Sequence, residues 1–398
     1  TNTITFQSAS GDSSTVILAF DATGTVDNYV VELDGTPYIS FKNMTIEAQD
    51  STYARVFVLK NGVHDIALLN NVIKTTVGST QDNDNMALIL SLDTIGLNIS
   101  IENNVLGNGS YAISLIGSLA SSNWTVKNNN IIGHYARGIH LESAVSTEIS
   151  GNKIYQDTVN SAAIYYGMYL IDNTGTPMIK NNKVLSRISP IGFGIRMNDC
   201  AYSQTSRGQI INNFFQINGN STSTTTTTGL LLMNTPNLDI FYNNILITGS
   251  QANSTAIYLY NTLTDSTNLM NNNFINNAGG YAVYTVSVTN NMFANNHNNL
   301  YTFNGALFAK IGTTVCADLV SWQTNSGDGA ASVSYDPYYV SAIDLHIVNN
   351  LMNGTGIPIT GITTDIDGDI RNTSTPDIGA DEFDPSPYDL TALEILSP

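Results

Sequence analysis

His140 and Glu142 stand two positions apart in RGIHLE (137–142), and Arg196 takes the place of His140 in FGIRMN (193–198). YGMYLI (166–171), TGLLLM (228–233) and TAIYLY (255–260) share the pattern, a small residue followed by alternating apolar positions. In an alternating segment every second side chain projects to the same side. Counted from the small residue, the third positions form a row of Ile89, Ser114, His140, Tyr169, Arg196, Leu231 and Tyr258. The fifth positions form a row of Ser91, Ile116, Glu142, Ile171, Asn198, Met233 and Tyr260. Imidazole, carboxylate and guanidinium are groups that transfer protons or steady developing charge. Tyr169, Tyr258 and Tyr260 offer flat rings to sugars, and Leu231 and Met233 offer apolar contact to a partner. Glycoside hydrolysis needs two carboxylates at a set separation, whereas Glu142 has only Asp172 and Asp199 at the edge of the face for company. The rows therefore read as a solvated face with scattered charges, or as a binding face, rather than as a catalytic centre.

Asparagine pairs mark the elements that must position these rows. Asn70-Asn71, Asn103-Asn104, Asn181-Asn182, Asn212-Asn213, Asn243-Asn244 and Asn349-Asn350 each lead into apolar or strand-forming residues. Taking the last asparagine of each motif gives 71, 104, 130, 152, 182, 213, 244 and 273, with steps of 22 to 33 residues, inside the range for solenoids. Two or three short strands per unit, bends between them and no helical period predict an all-β chain folded as a parallel β-helix. Equivalent residues of successive coils then stack roughly 4.8 Å apart, so amides at a bend can bond as a ladder. Asparagine also tolerates the left-handed backbone of a sharp bend. The spacing predicts an inward ladder of Asn71, Asn104, Asn182, Asn213 and Asn244. It also sets His140 and Arg196 two coils apart, or roughly 10 Å.

Past Asn291 the repeat weakens. Residues 294–348 read as an irregular insert, in which Leu319, Val320 and Trp322 suit a short helix or loop near 315–325 packed on the side of the solenoid, before a last coil resumes at LHIVNN (345–350). STSTTTTT (221–228) lies between regular units and reads as a protruding loop.

Composition narrows the partners. With 42% hydrophobic and only 12% charged residues, the 398-residue chain buries too much to be disordered and carries too little charge to be helical. Fourteen basic residues against 32 acidic ones leave a net charge of −18, which repels nucleic acid and anionic membranes. No stretch reaches the roughly 18 to 20 apolar residues of a membrane span. TNTITFQSAS has neither the charged nor the apolar region of a secretory leader, so a leader is expected to be absent or removed and the opening reads as a strand entered midway. Cys200 and Cys316 form neither a disulfide framework nor a metal cluster. They stand 116 residues apart, about four coils or roughly 19 Å, so free thiols are expected.

TTDIDGDIRNTSTPDIGADEFD (363–384) concentrates the remaining chemistry. Asp365, Asp367 and Asp369 are hard oxygen ligands of the kind Ca²⁺ takes, but an EF-hand loop would need Gly at Ile370 and Glu at Pro376. The other reading involves no metal: Arg371 pairs with Asp377 or Glu382, and 365–382 is a cap over the last coil, whose strand edges and apolar face must be covered. D-x-D-G-x-x-R followed by D-I-G-A-x-E, here Asp365, Asp367, Gly368, Arg371, Asp377, Gly379, Ala380 and Glu382, resembles the closing segment of secreted bacterial right-handed β-helix proteins. These belong to the pectin-lyase-like superfamily, choice-of-anchor type. DNYVVELDGTPYISFKNMTIEA and ADLVSWQTNSG look like text of the same family. PYDLTALEILSP (387–398) is similar to the first strand of immunoglobulin-like modules that follow such helices in long exported proteins, often type IX secretion substrates.

The resemblance implies a right-handed β-helix over 1–384, closed at 363–384, and a linker with the start of an Ig-like module at 385–398. It implies a bacterial extracellular or cell-surface location, with flanking domains of the same polypeptide, and a glycan or cell-surface protein, as partners. The expected function is a non-catalytic module in adhesion, glycan binding or rigid spacing. The alternative is a polysaccharide lyase or glycoside hydrolase. Lyases of this superfamily hold Ca²⁺ with clustered acids and take the proton α to a uronate carboxylate with Arg or Lys, a role that would fall to Arg196.

Overall fold

A computed structural model describes residues 2–384 apart from 120–121, 157–161, 188, 220–225, 261–266, 288–291, 304–306 and 328. The expected Ig-like start at 385–398 and most of the threonine run lie outside the described residues. The strands stack into three sheets, A and B of eleven strands and C of twelve, and apart from the last strand of C each is parallel to and bonded with those three places before and after it in the chain. One strand per sheet per coil makes a right-handed parallel β-helix. Ile39–Lys42 lies in sheet A, Thr45–Ala48 in B and Val31–Asp34 in C. No helix among the described residues is long and apolar enough to cross a membrane.

Register places like on like. In sheet A, Phe41, Leu68, Ile101, Val126, Ile149 and Ile179 pair in succession. In sheet B, Ile73, Leu106, Ile131, Ile154, Val184 and Phe215 do the same. All of these are buried in one continuous core. Each such apolar side chain contributes about 1.5–3 kcal/mol of burial, which is why alternation survives while the coil length drifts. Ile4, Phe6 and Leu18 pair with buried Ile39, Phe41 and Ile46 yet are exposed themselves, since they belong to the first described coil.

The bend from sheet A to sheet B divides two tasks between two residues. The first takes the left-handed conformation, as at Asn70 (φ 56), Asn103 (φ 56), Asn181 (φ 55) and Asn212 (φ 53). The second points inward. Its Oδ1 accepts both the backbone N–H and Nδ2 of the asparagine one coil before, and the chain of bonds runs Asn71, Asn104, Asn129, Asn152, Asn182, Asn213, Asn243, Asn272 and Asn298. It ends where Asn298 N donates to Ser332 Oγ at 3.1 Å. The predicted ladder residue Asn244 is not a member. Tyr242 (φ 55) holds the left-handed place in that coil, which moves the inward residue to Asn243 and makes Asn244 the first residue of the strand Asn244–Gly249. The same one-residue shift replaces 130 by Asn129 and 273 by Asn272.

The end of the solenoid is closed by the insert. Met292–Asn296, Asn299–Thr302 and Ala309–Ile311 still continue sheets A, B and C, so regular coils reach into the stretch expected to be irregular. Sheet C then terminates in Thr314–Cys316, antiparallel to Ala309–Ile311. The helix Leu319–Ser326 follows, with a capping box between Asp318 and Ser321 and a left-handed Gly327 at its end. Phe308, Cys316 and Trp322 are buried within the main core, so this hairpin and helix cover the last coil. LHIVNN forms no coil strand; Asn349 caps the short 3₁₀ turn Asn350–Met352.

The segment expected to cap the last coil lies along the outer side of sheet B instead. Leu345, Ile366 and Ala380 pack on Phe214, Leu246 and Ile275, and Lys183 Nζ meets Asp367 Oδ1 at 3.2 Å. Asn244 Nδ2 donates to Leu345 O, while its Oδ1 accepts from Asn273 Nδ2 and Ala380 N. Sheet B faces solvent in earlier coils, but here its outer side carries Phe214, Leu246 and Ile275 with amides between them, and such a surface must be covered and its polar groups bonded. The chain therefore folds back as a strap.

Candidate functional site

Sheet C carries the predicted binding face. Ser114, His140, Tyr169, Arg196, Leu231 and Tyr258 pair in one row, which continues through Tyr284 to Lys310. Ile116, Glu142, Ile171, Asn198, Met233 and Tyr260 pair in the next. The earliest places differ: Ser114 pairs with Leu90, not Ile89, and after a register shift Ile116 pairs with Thr94, not Ser91.

A third row escaped the sequence pattern. Tyr111, Arg137, Tyr166 and Phe193 pair in succession and lie on the same side as Tyr169 and Arg196: Arg137 and Tyr166 meet Tyr169, Phe193 meets Arg196, and Tyr111 meets Arg137. Strict alternation would have turned them inward. The small residue after each breaks the alternation, because sheet C there presses on the core. A Cβ on Gly138 would fall 2.5 Å from Gly167 O and 2.7 Å from Ile154 Cγ2. The small residue repeated at this place, Ala112, Gly138, Gly167 and Gly194, is the sequence signal for the third row.

Aromatic rings hold the cations of this face. Arg137 lies over Tyr111 with 4.4 Å to the ring centre. Arg196 lies over Tyr169 at 5.3 Å and Phe193 at 5.6 Å, and donates from Nε to Asn198 Oδ1 at 3.1 Å. Farther along, Tyr258 stacks on Tyr284 at 4.3 Å, Tyr260 meets Tyr258 edge-on at 5.9 Å, and Lys310 sits 4.6 Å from Tyr284. Arg137, Arg196 and Lys310, like Lys42, Lys127, Lys153 and Arg187, have no carboxylate partner among the described residues, whereas Arg55, Lys60, Lys74, Lys180, Lys183, Arg207 and Arg371 each have one; what sets the first three apart is that each lies against an aromatic ring of this face.

His140 is buried, with Nδ1 3.0 Å from Ser114 Oγ and its ring stacked on Tyr169. Burial, aided by the charge of Arg137, pushes its pKa down to about 4, so the imidazole is neutral and a weak base at pH 7. Glu142 is flanked across its strand pairs by Ile116 and Ile171, so no second carboxylate stands beside it in its row. Asp172 and Asp199 occupy left-handed positions just past their strands.

The acidic C-terminal residues have structural partners. Asp365 is fully buried; its Oδ1 accepts the backbone N–H of Asp367, Gly368 and Asp369, each at 2.9 Å, and its Oδ2 accepts Glu382 N at 3.0 Å. Those four donors engage both oxygens, three of them on Oδ1, which leaves Asp365 poorly suited to ligate Ca²⁺ beside Asp367 and Asp369. Asp367 turns to Lys183 and His346. Among the described residues no group of three or more His, Cys, Asp or Glu is placed to hold a metal ion. Arg371 meets Glu382 Oε2 at 3.3 Å. Asp377 accepts from Gly354 N and Phe383 N, and burial pushes its pKa up to about 7. Gly379 (φ 109) leaves no room for a side chain, since a Cβ would fall 2.3 Å from both Asn244 Oδ1 and Asn273 Nδ2.

No protein-family model and no curated protein matches the chain. The D-x-D-G-x-x-R and D-I-G-A-x-E residues thus have a physical account of their own, as the fasteners of the strap.

Proposed function

We propose that the chain is a non-catalytic, extracellular β-helix module of a larger bacterial surface protein, and that the outer face of sheet C binds an anionic glycan. The observation that carries this reading is the set Arg137, Arg196 and Lys310, held on aromatic rings without a carboxylate partner among the described residues, in a chain with 32 acidic residues. Cations so placed keep their charge available, and a sugar carboxylate or sulfate would supply the missing charge-assisted bond. Tyr169, Tyr258 and Tyr260 beside them offer rings for the sugar faces. The rigid stack behind the face suits adhesion or spacing. The likeness of 363–384 to closing segments of the pectin-lyase-like superfamily supports export, with type IX secretion and flanking domains as its corollaries.

Titration of the purified chain with oligogalacturonate, alginate and sulfated oligosaccharides tests the reading. At least one should bind, and Arg196→Ala should weaken it about tenfold, the value of one charge-assisted bond. Release of reducing ends or of an unsaturated uronate would instead support the lyase or hydrolase alternative.

A further inference from the structure

The outer face of sheet A carries a second opening. Met178, Gln209 and Asp239 pair in one row, and Lys180, Ile211, Phe241 and Met270 in the next. Residues 358–364 of the strap stand along one side, leaving a groove of about 690 Å³, and 204–207 overhang an adjoining hollow of about 380 Å³. The two share Met178, Gln209 and Asp239. The floor spans four coils, roughly 14 Å along the axis.

The charges of this groove are already met within the protein. Asp239 accepts from Arg207 Nε at 2.6 Å and Asn268 Nδ2 at 2.7 Å, and Lys180 lies 3.5 Å from Glu148. What remains uncommitted is uncharged. The side chains of Gln209 and Asn181 on the floor, and of Thr360 and Thr363 on the strap, make no hydrogen bond among the described residues. Between them stand the thioethers of Met178 and Met270.

We propose that this groove binds an uncharged oligosaccharide. A charged ligand would have to break an existing ion pair to find its partner. An extended peptide gains its affinity from main-chain bonds to a free sheet edge, and the floor strands are interior strands of sheet A, paired on both sides. Sugar hydroxyls, by contrast, match facing amides and hydroxyls, and their C–H faces match thioether and aliphatic surface. The site is separate from the face of sheet C and does not depend on that reading.

The test is calorimetric titration with neutral hexasaccharides of β-linked glucose, mannose, xylose and N-acetylglucosamine, and with an uncharged extended hexapeptide as control. At least one sugar should bind. Gln209→Ala, and Thr363→Val on the opposite wall, should each weaken it tenfold or more, whereas Arg196→Ala should leave it unchanged, all three variants melting as wild type. If one groove variant melts early, the other carries the test. The proposal is overturned if none of the four sugars binds at millimolar concentration, if binding survives both groove variants, if it is lost in Arg196→Ala, or if the peptide binds more tightly.

Discussion

The guanidinium of Arg371 lies 3.8 Å from the centre of the Tyr242 ring and donates from Nη2 to Asn212 Oδ1 at 2.9 Å and Gly379 O at 3.0 Å. Asn212 and Tyr242 are the left-handed residues of two successive bends, so one strap side chain grips two coils. Arg371→Ala should cost about 3 kcal/mol, because it removes the cation paired with the partly buried Glu382 carboxylate and empties a buried, stacked site. Arg371→Lys should restore little, since an ammonium cannot both stack and fork. Urea unfolding measures the loss, and an unchanged midpoint would contradict the fastening role. Anionic glycan binding on sheet C should be unaffected.

Asn213 and Asn244 separate the ladder from the strap. Asn213→Ala removes the acceptor of Asn182 N and Nδ2 and should cost about 1–3 kcal/mol. Asn244→Ala should leave the ladder intact and free the strap at Leu345 and Ala380. Limited proteolysis distinguishes them: the Asn244 variant should be cut first within 345–383. Identical cleavage patterns would count against the division.

The strap should loosen as pH rises. Nδ1 of His346 faces Asp344 and Nε2 faces Asp367 at 2.6 Å, which requires both nitrogens to carry protons. Burial opposes the charge, but the bonds from Asp367 and Asp344 outweigh it and hold the pKa above the ordinary value. A raised folded pKa means this stability is complete below about pH 6.5 and is lost as pH climbs through the folded value. Melting temperatures of wild type and His346→Gln should therefore differ most at pH 6 and converge toward pH 9. A constant gap would contradict the linkage.

Both thiols should be inert in the folded chain. Cys200 and Cys316 are buried and unbridged, and burial pushes Cys200 up to about 11 and Cys316 upward as well. An alkylating reagent should label neither residue in buffer and both in urea, followed by mass spectrometry. A Cys200–Cys316 bridge in the unreduced protein would contradict the distance set by the coils.

What the sequence discloses here follows from what repeats. Alternation recurs in coil after coil and the asparagine pairs in most of them, with Gly151-Asn152 and Asn43-Met44 as exceptions, so fold and rows were legible from them. A pair leaves open which member turns the bend, and Tyr242 in the left-handed place hid the true ladder residue at Asn243. Arg137 and Tyr166 were missed because their orientation depends on a crowded glycine, a contact between coils rather than a local pattern. The 363–384 segment was recognisable as a fastener, yet no local feature says whether a chain end folds over a terminus or back along a side. Only the apolar outer positions Phe214, Leu246 and Ile275, read together across three coils, could have indicated the side.

An unstrapped stack of coils, each touching only its neighbours, comes apart gradually from its ends. The strap changes the statistics of that process. By bonding to strands from Lys183–Ser186 through Asn273–Asn276, it couples coils that are not nearest neighbours, so none of them can open without releasing the others. Amide exchange should accordingly fall into two regimes: a graded slope through the early coils, where Ile4 and Phe6 lie exposed, and a single shared opening energy for the strapped block. A chain of identical links thereby acquires one rigid half and one that frays.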